Sequence, residues 1–252
     1  RSLQNPADDT ATCRTKDGRT YKGGMFNVAE TCAPENKAQL LTDVCVAQNI
    51  VADDDFLTER LQGIKKRTGV EEMVTDANYT GEHSEKVCQE ETVAIIPTEV
   101  RGRKEQAGKL SLRDFHFDGK STIASCPEGY SPVEQIHKPE SGRHVVRFAK
   151  DICGACPRKN ECPAMCRKHF YSLAFSDRQA LLAQRRQQLS QEDYRSKCRL
   201  RPAIEGTISQ FKQKMRNGKL RIRGLSRIRN SIILMAIGIN FGRVWAYLME
   251  TN

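Results

Sequence analysis

The sequence predicts an α/β protein: a mixed sheet flanked by helices, interrupted by a cysteine-rich insertion and finished by C-terminal helices. Three observations predict it. Strand-like and helix-like stretches alternate over residues 21–100. Periodicity then gives way to Gly, Pro, Lys and Cys over 101–168, and helical patterns return from 176. Strands alternating with helices imply a sheet covered by helices. At 252 residues the chain can bury a real core in one or two domains. The expected divisions are 1–100, 101–175 and 176–252.

The elements follow in order. "YKGGMFNVAETC" (21–32) and "AQLLTDVCVAQNI" (38–50) read as two strands joined by an "APENK" turn, because apolar and β-branched residues alternate between breakers. "DDDFLTERLQGIKKRTG" (53–69) reads as a helix, capped by Asp53 to Asp55, striped by Leu57, Leu61 and Ile64, and closed by Gly69. "EEMVTDANYTG" (71–81) reads as a short strand entering a turn, with Asp76 at the strand's carboxyl end, where α/β sheets collect their chemistry. A short helix and a strand within 87–100 follow. Residues 1–20 read as loop. In the insertion, 114–118, 121–125 and 143–149 look like short strands. A helix is expected over 176–198, and another opens at Pro202 and runs to about Met215. "NGK" (217–219) breaks it, and the last helix spans about Ser226 to Met249. Its most apolar run, "SIILMAIGINF" (231–241), reads as a buried helix too short to cross a bilayer.

Charge is concentrated in one place. Residues 195–229 hold twelve Lys or Arg and one acid, Glu205, a net of +11. The whole chain is +10, so everything else sums to −1. Apolar residues (Ile204, Ile208, Phe211, Leu220, Ile222) interleave the cations. Such a segment favours a nucleic acid, which it binds by releasing condensed counterions; an anionic membrane surface is the weaker alternative.

Ten cysteines in a full-size basic chain without a signal peptide point to a reducing cytoplasm, with some cysteines on metal, rather than to a secreted disulfide scaffold. "CGACPRKNECPAMC" holds Cys153, Cys156, Cys162 and Cys166, and Cys126 precedes a glycine turn upstream. A CxxC pair with two further cysteines fits tetrahedral zinc as a staple for an insertion with little core. Four reduced thiols in a loop are the alternative. His144 and His169 are reserve ligands. Cys13, Cys32, Cys45, Cys88 and Cys198 read as small apolar residues.

Arg201, Glu205, Ile208 and Lys212 lie along one helical face. A carboxylate flanked by cations suits a metal site that handles phosphate. On spacing alone the plainer reading is the stronger: an acid placed in a first turn by the helix dipole.

At these residues the chain resembles the DDE transposases of bacterial insertion sequences. The resemblance is carried by "NPADDTATCRTKDGRTYKGGMFNVAETC" (5–32), "LLTDVCV" (40–46), "VTDANYTGE" (74–82), "FAKDICGACPRKNEC" (148–162), "RPAIEGTISQ" (201–210) and "LRIRGLSRIR" (220–229). It implies a ribonuclease-H-like core and DNA transposition by metal-dependent phosphodiester cleavage and strand transfer. Asp76 would be the second metal-binding aspartate and Glu205 the third carboxylate, on Mg²⁺ or Mn²⁺. Arg201, Lys212, Lys214, Arg216, Lys219, Arg221, Arg223 and Arg227 would hold DNA, meaning transposon ends and target. The common zinc set would be Cys126, Cys153, Cys156 and Cys162, with Cys166 extra. A homodimer is expected of the full-length protein, and no membrane partner. Arg201, Glu205 and Lys212 fit a family signature whose tyrosine position is Cys198 here, and Asn78 replaces the usual glycine. The first aspartate belongs to a strand before 21–32. The expectation is that the chain begins after that strand and is inactive or nearly so alone, with Asp8, Asp9 and Asp43 as stand-ins. A DNA-binding remnant without chemistry is the alternative.

Overall fold

The computed structural model describes residue 8, residues 10–102 and residues 106–250. Asp9 lies outside them. The chain forms two compact units, Arg1–Thr98 with Ser196–Asn252, and Glu99–Arg195. The second unit therefore extends past the boundary expected at 175.

In the first unit, β1 (Thr12–Lys16) and β2 (Arg19–Glu30) form an antiparallel hairpin. Asp17 and Gly18 connect them at φ 50° and 71°. A two-residue turn with both φ values positive matches the twist of paired strands, and Asp-Gly is a preferred sequence for it. The reading of residues 1–20 as loop is thus corrected over 12–16. The strand was hidden because Thr12, Cys13, Arg14, Thr15 and Lys16 present no apolar alternation. β3 (Leu41–Gln48) pairs antiparallel with β2, with a register shift at Ala29 and Glu30. α1 (Asp53–Thr68) ends at Gly69, whose left-handed backbone returns its N–H to the Lys65 carbonyl at 2.8 Å. β4 (Glu72–Thr75), α2 (Glu82–Glu90) and β5 (Ala94–Pro97) follow, and β4 pairs parallel with β5.

One mixed sheet was expected, but two are found. β1, β2 and β3 make one sheet and β4 with β5 another; among the described residues no strand joins them.

The second unit carries a hairpin of β6 (His116–Phe117) and β7 (Ile123–Ser125). Its main sheet is antiparallel, in the order β10 (Met165–Cys166), β11 (Phe170–Ser176), β9 (Arg143–Ala149), β8 (Glu134–Lys138). α3 (Lys150–Ala155) follows β9, and α4 (Asp177–Ser190) follows β11. Phe115, Ile123, Val146, Phe148, Leu173, Phe175 and Ala180 are buried together. The insertion therefore has a core of its own, contrary to expectation. β8 and β11 were not legible as strands, although Leu173 and Phe175 alternate into the core as a half-buried strand requires.

The helix expected over 176–198 is two, because Gln191 is extended (ψ 138°). α5 (Glu192–Cys198), α6 (Pro202–Gln213) and α7 (Leu225–Glu250) complete the chain. Asn217 and Gly218 turn the chain between α6 and α7 at φ 53° and 67°.

Two apolar clusters hold the first unit. Leu41 and Val46 of β3 meet Phe211 of α6 and Ile232, Ala236 and Ile239 of α7. Leu57 and Leu61 of α1 meet Cys88 of α2 and Val93. Polar ties reinforce the first cluster. The Asn240 amide bonds both the N–H and the carbonyl of Leu41, each at 2.9 Å. Glu30, its side chain only 6% exposed, accepts from Thr207 Oγ1 at 2.6 Å and from Arg243 Nη1 at 2.9 Å.

α7 fits the helix expected over about Ser226 to Met249 and departs only from the reading of its run 231–241 as buried and too short to cross a bilayer. It is 26 residues long, and by length and mean hydropathy (1.6) it could cross a bilayer. Only one face is buried. Leu234, Ile237, Phe241, Val244, Trp245 and Leu248 are exposed.

Candidate active site and nucleic-acid face

Asp76 follows the last residue of β4 and leads a short 3-10 turn, Ala77–Tyr79. The parallel pairing with β5 fixes where that strand ends, and hence where the carboxylate stands. Tyr79 is mostly buried beside it; burial first, then the charges of Asp53 and Asp76, push its phenol far above the usual range. Asn78 sits inside the turn without a positive φ, so its replacement of glycine costs nothing.

Glu205 lies in the first turn of α6, which Pro202 opens with its preset φ. Arg201 caps that helix, and its guanidinium joins the two acids. Nη1 donates to Glu205 Oε1 at 3.0 Å, and Nη2 donates to Asp76 Oδ2 at 3.3 Å. Two carboxylates on opposite sides of the insertion thus sit on two nitrogens of one cation. Arg201 was expected on phosphate; here it stands between the acids.

All three groups are open to solvent, with Glu205 65% exposed and Asp76 38%. Exposed ion pairs are worth about 0–1 kcal/mol, so this bridge is a weak stability device. Its single positive charge offsets part of the repulsion between the two acids. A cation of twice the charge can displace it at low cost. The acids fit a divalent ion as donors, since hard oxygen ligands suit Mg²⁺ and Mn²⁺.

The other acids considered are engaged elsewhere. Asp8 accepts from Thr10 Oγ1 at 2.6 Å and from the Gly224 N–H at 2.8 Å, and so caps the start of α7. Asp43 is buried and accepts from both Arg60 and Arg67 at 2.6 Å, tying β3 to α1. Both carboxylates are therefore committed to structural bonds.

The basic segment is displayed outward. Lys212, Lys214, Arg216, Lys219, Arg221, Arg223 and Arg227 are all exposed. None of them forms an ion pair among the described residues. Lys197 differs, since it pairs with Glu72 at 2.7 Å.

In the second unit, Cys126, Cys153, Cys156 and Cys162 line one small cavity of about 30 Å³. Burial first, then the neighbouring thiols Cys162, Cys126 and Cys156, push Cys153 up to about 11. Burial also raises Cys162. Four thiols around one space are the donor set of structural zinc. Zn–S bonds of about 2.3 Å around a tetrahedral ion would hold the four sulfurs roughly 3.8 Å apart. Cys166 is exposed and lies outside the cavity lining. The reserve ligands do not join it: His144 pairs with Asp177, and His169 lines a separate groove.

One group was not anticipated. His137, His144 and Asp177 bring three ligand atoms within 4.8 Å of one another. No motif spacing marks them, because three different elements supply them.

No curated protein and no solved structure matches the chain significantly. Residues 125–245 match the family model described as a transposase DDE domain. That stretch holds Glu205, the basic segment and the four cysteines, and leaves Asp76 outside. The match supports reading the chain as a DDE transposase with a role in transposition.

Proposed function

We propose that the chain acts in DNA transposition by metal-dependent phosphodiester cleavage and strand transfer, with Asp76 and Glu205 as ligands of a shared divalent ion. The supporting observation is the single guanidinium that holds both carboxylates. Mg²⁺ or Mn²⁺ bound there would polarise a phosphodiester and activate the attacking hydroxyl. The chain's own residues do the rest. Asp76 and Glu205 fix the charge, and Arg201, once released from them, turns to phosphate oxygens. Lys212 follows Glu205 two turns later and, with the exposed cations through Arg227, grips the DNA backbone. The four-cysteine cavity serves as a structural zinc staple for the second unit.

A second reading is a DNA-binding chain without chemistry. It is favoured by the exposed cations from Lys212 to Arg227, which can hold a phosphate backbone without any metal.

A nicking assay on supercoiled DNA with Mn²⁺ separates the readings. Slow cutting that disappears in Asp76→Asn and in Glu205→Gln, with DNA affinity retained, is expected. Binding without any cutting supports the second reading. Cutting that persists in both variants overturns the site.

A further inference from the structure

We propose that His137, His144 and Asp177 form a binding site for a zinc-class divalent cation, separate from the cysteine cavity and from the Asp76 and Glu205 pair. His137 and His144 are direct cross-strand partners on β8 and β9. Their rings stack with centroids 4.3 Å apart and planes within 4°. Phe175 of β11 covers the other side of His144 at 5.2 Å. His144 is 14% exposed, so its ring is clamped, whereas His137 is open.

Asp177 is brought to the same point by independent bonds. Its N–H donates to the Gly142 carbonyl at 3.0 Å. Its Oδ1 faces His144 Nε2 at 2.7 Å and accepts from Ser121 Oγ at 2.9 Å. A Cβ on Gly142 would stand 2.9 Å from Oδ2, so the glycine turn lets the carboxylate close on the hairpin. Helix capping does not explain this position, because Ser176 supplies the cap of α4.

Two imidazoles and one carboxylate select zinc-class ions over Mg²⁺ or Ca²⁺, which take oxygen shells. Ligand atoms around tetrahedral Zn²⁺ lie roughly 3.3 Å apart. The His144 to Asp177 contact therefore opens by about half an ångström on binding. The exposed His137 ring leaves the stack to complete three protein ligands, and a fourth position stays open to water. This arrangement does not depend on strand-transfer chemistry.

The full chain is stripped of metal and titrated with Co²⁺ and Zn²⁺, beside His137→Ala and Asp177→Asn. His137 is exposed, so its replacement leaves the core intact. The parent is expected to bind one more equivalent than either variant, or to bind it at least about tenfold more tightly. Thiolate-to-cobalt absorption from the cysteines stays unchanged in both variants, and the imidazole proton resonances of His137 and His144 shift on adding Zn²⁺ to the parent alone. Equal stoichiometry and affinity in all three proteins, or imidazole resonances that do not respond to Zn²⁺, overturn the site.

Discussion

Arg201 shows how one side chain changes the meaning of two others. The spacing of Arg201, Glu205 and Lys212 was legible because a helix places i and i+4 together. The meeting with Asp76 was not, since it depends on how β4 and α6 are placed in the fold. Asp8 carries the same lesson. As a loop residue it looked like a spare acid, but its oxygens hold Thr10 and the Gly224 N–H. The Thr10 hydroxyl first, then the Gly224 N–H, hold the Asp8 carboxyl below its ordinary 3.8. A depressed folded value adds stability that is present above the ordinary value and lost as pH falls through the folded one. Thermal melts of the parent and Asp8→Asn should therefore differ at neutral pH, with the variant less stable. They should converge as pH falls from about 5 to about 2. A constant gap across that range would show that the Asp8 charge is not what anchors α7.

At the scale of elements, the sequence placed most of the first unit correctly. Period-2 and period-3.6 patterns found β2, β3, α1 and α7 within a few residues. β1 escaped because its five residues bury little, and its Asp-Gly turn was the overlooked signal. β8 escaped for a similar reason, as Glu134 to Lys138 is almost wholly polar. The buried face of α7 was illegible because the helix is apolar nearly all round; Ile232, Ala236 and Ile239 dock it, and Asn240 and Arg243 add polar ties to that face. Asn240 bonds both backbone groups of Leu41, itself 8% exposed. Truncation would strand a donor and an acceptor near the core. Asn240→Ala should cost about 1–3 kcal/mol, read as a lower urea midpoint with an unchanged slope. An unchanged midpoint would mean that α7 is held by its apolar contacts alone.

At the scale of the whole molecule, charge was the most legible property. A segment of net +11 on an otherwise near-neutral chain needed no structure to be seen, and ten of its twelve cations prove exposed. Each phosphate contact contributes about 0.9 to the slope of log affinity against log salt. Replacing Arg221 and Arg223 by Gln should reduce that slope by about 2 and weaken binding to unrelated duplexes alike. A slope equal to the parent's would remove these two residues from the interface. The two distant acids share the Arg201 guanidinium, and the expectation from the sequence that they share a divalent ion is the central claim. Mn²⁺ binding to DNA-free protein, followed by electron paramagnetic resonance, tests it most directly. Asp76→Asn and Glu205→Gln should each abolish the same bound equivalent, and the double variant should lose no more than either. Mn²⁺ binding that survives in either single variant, or losses that simply add in the double variant, would contradict a shared ion.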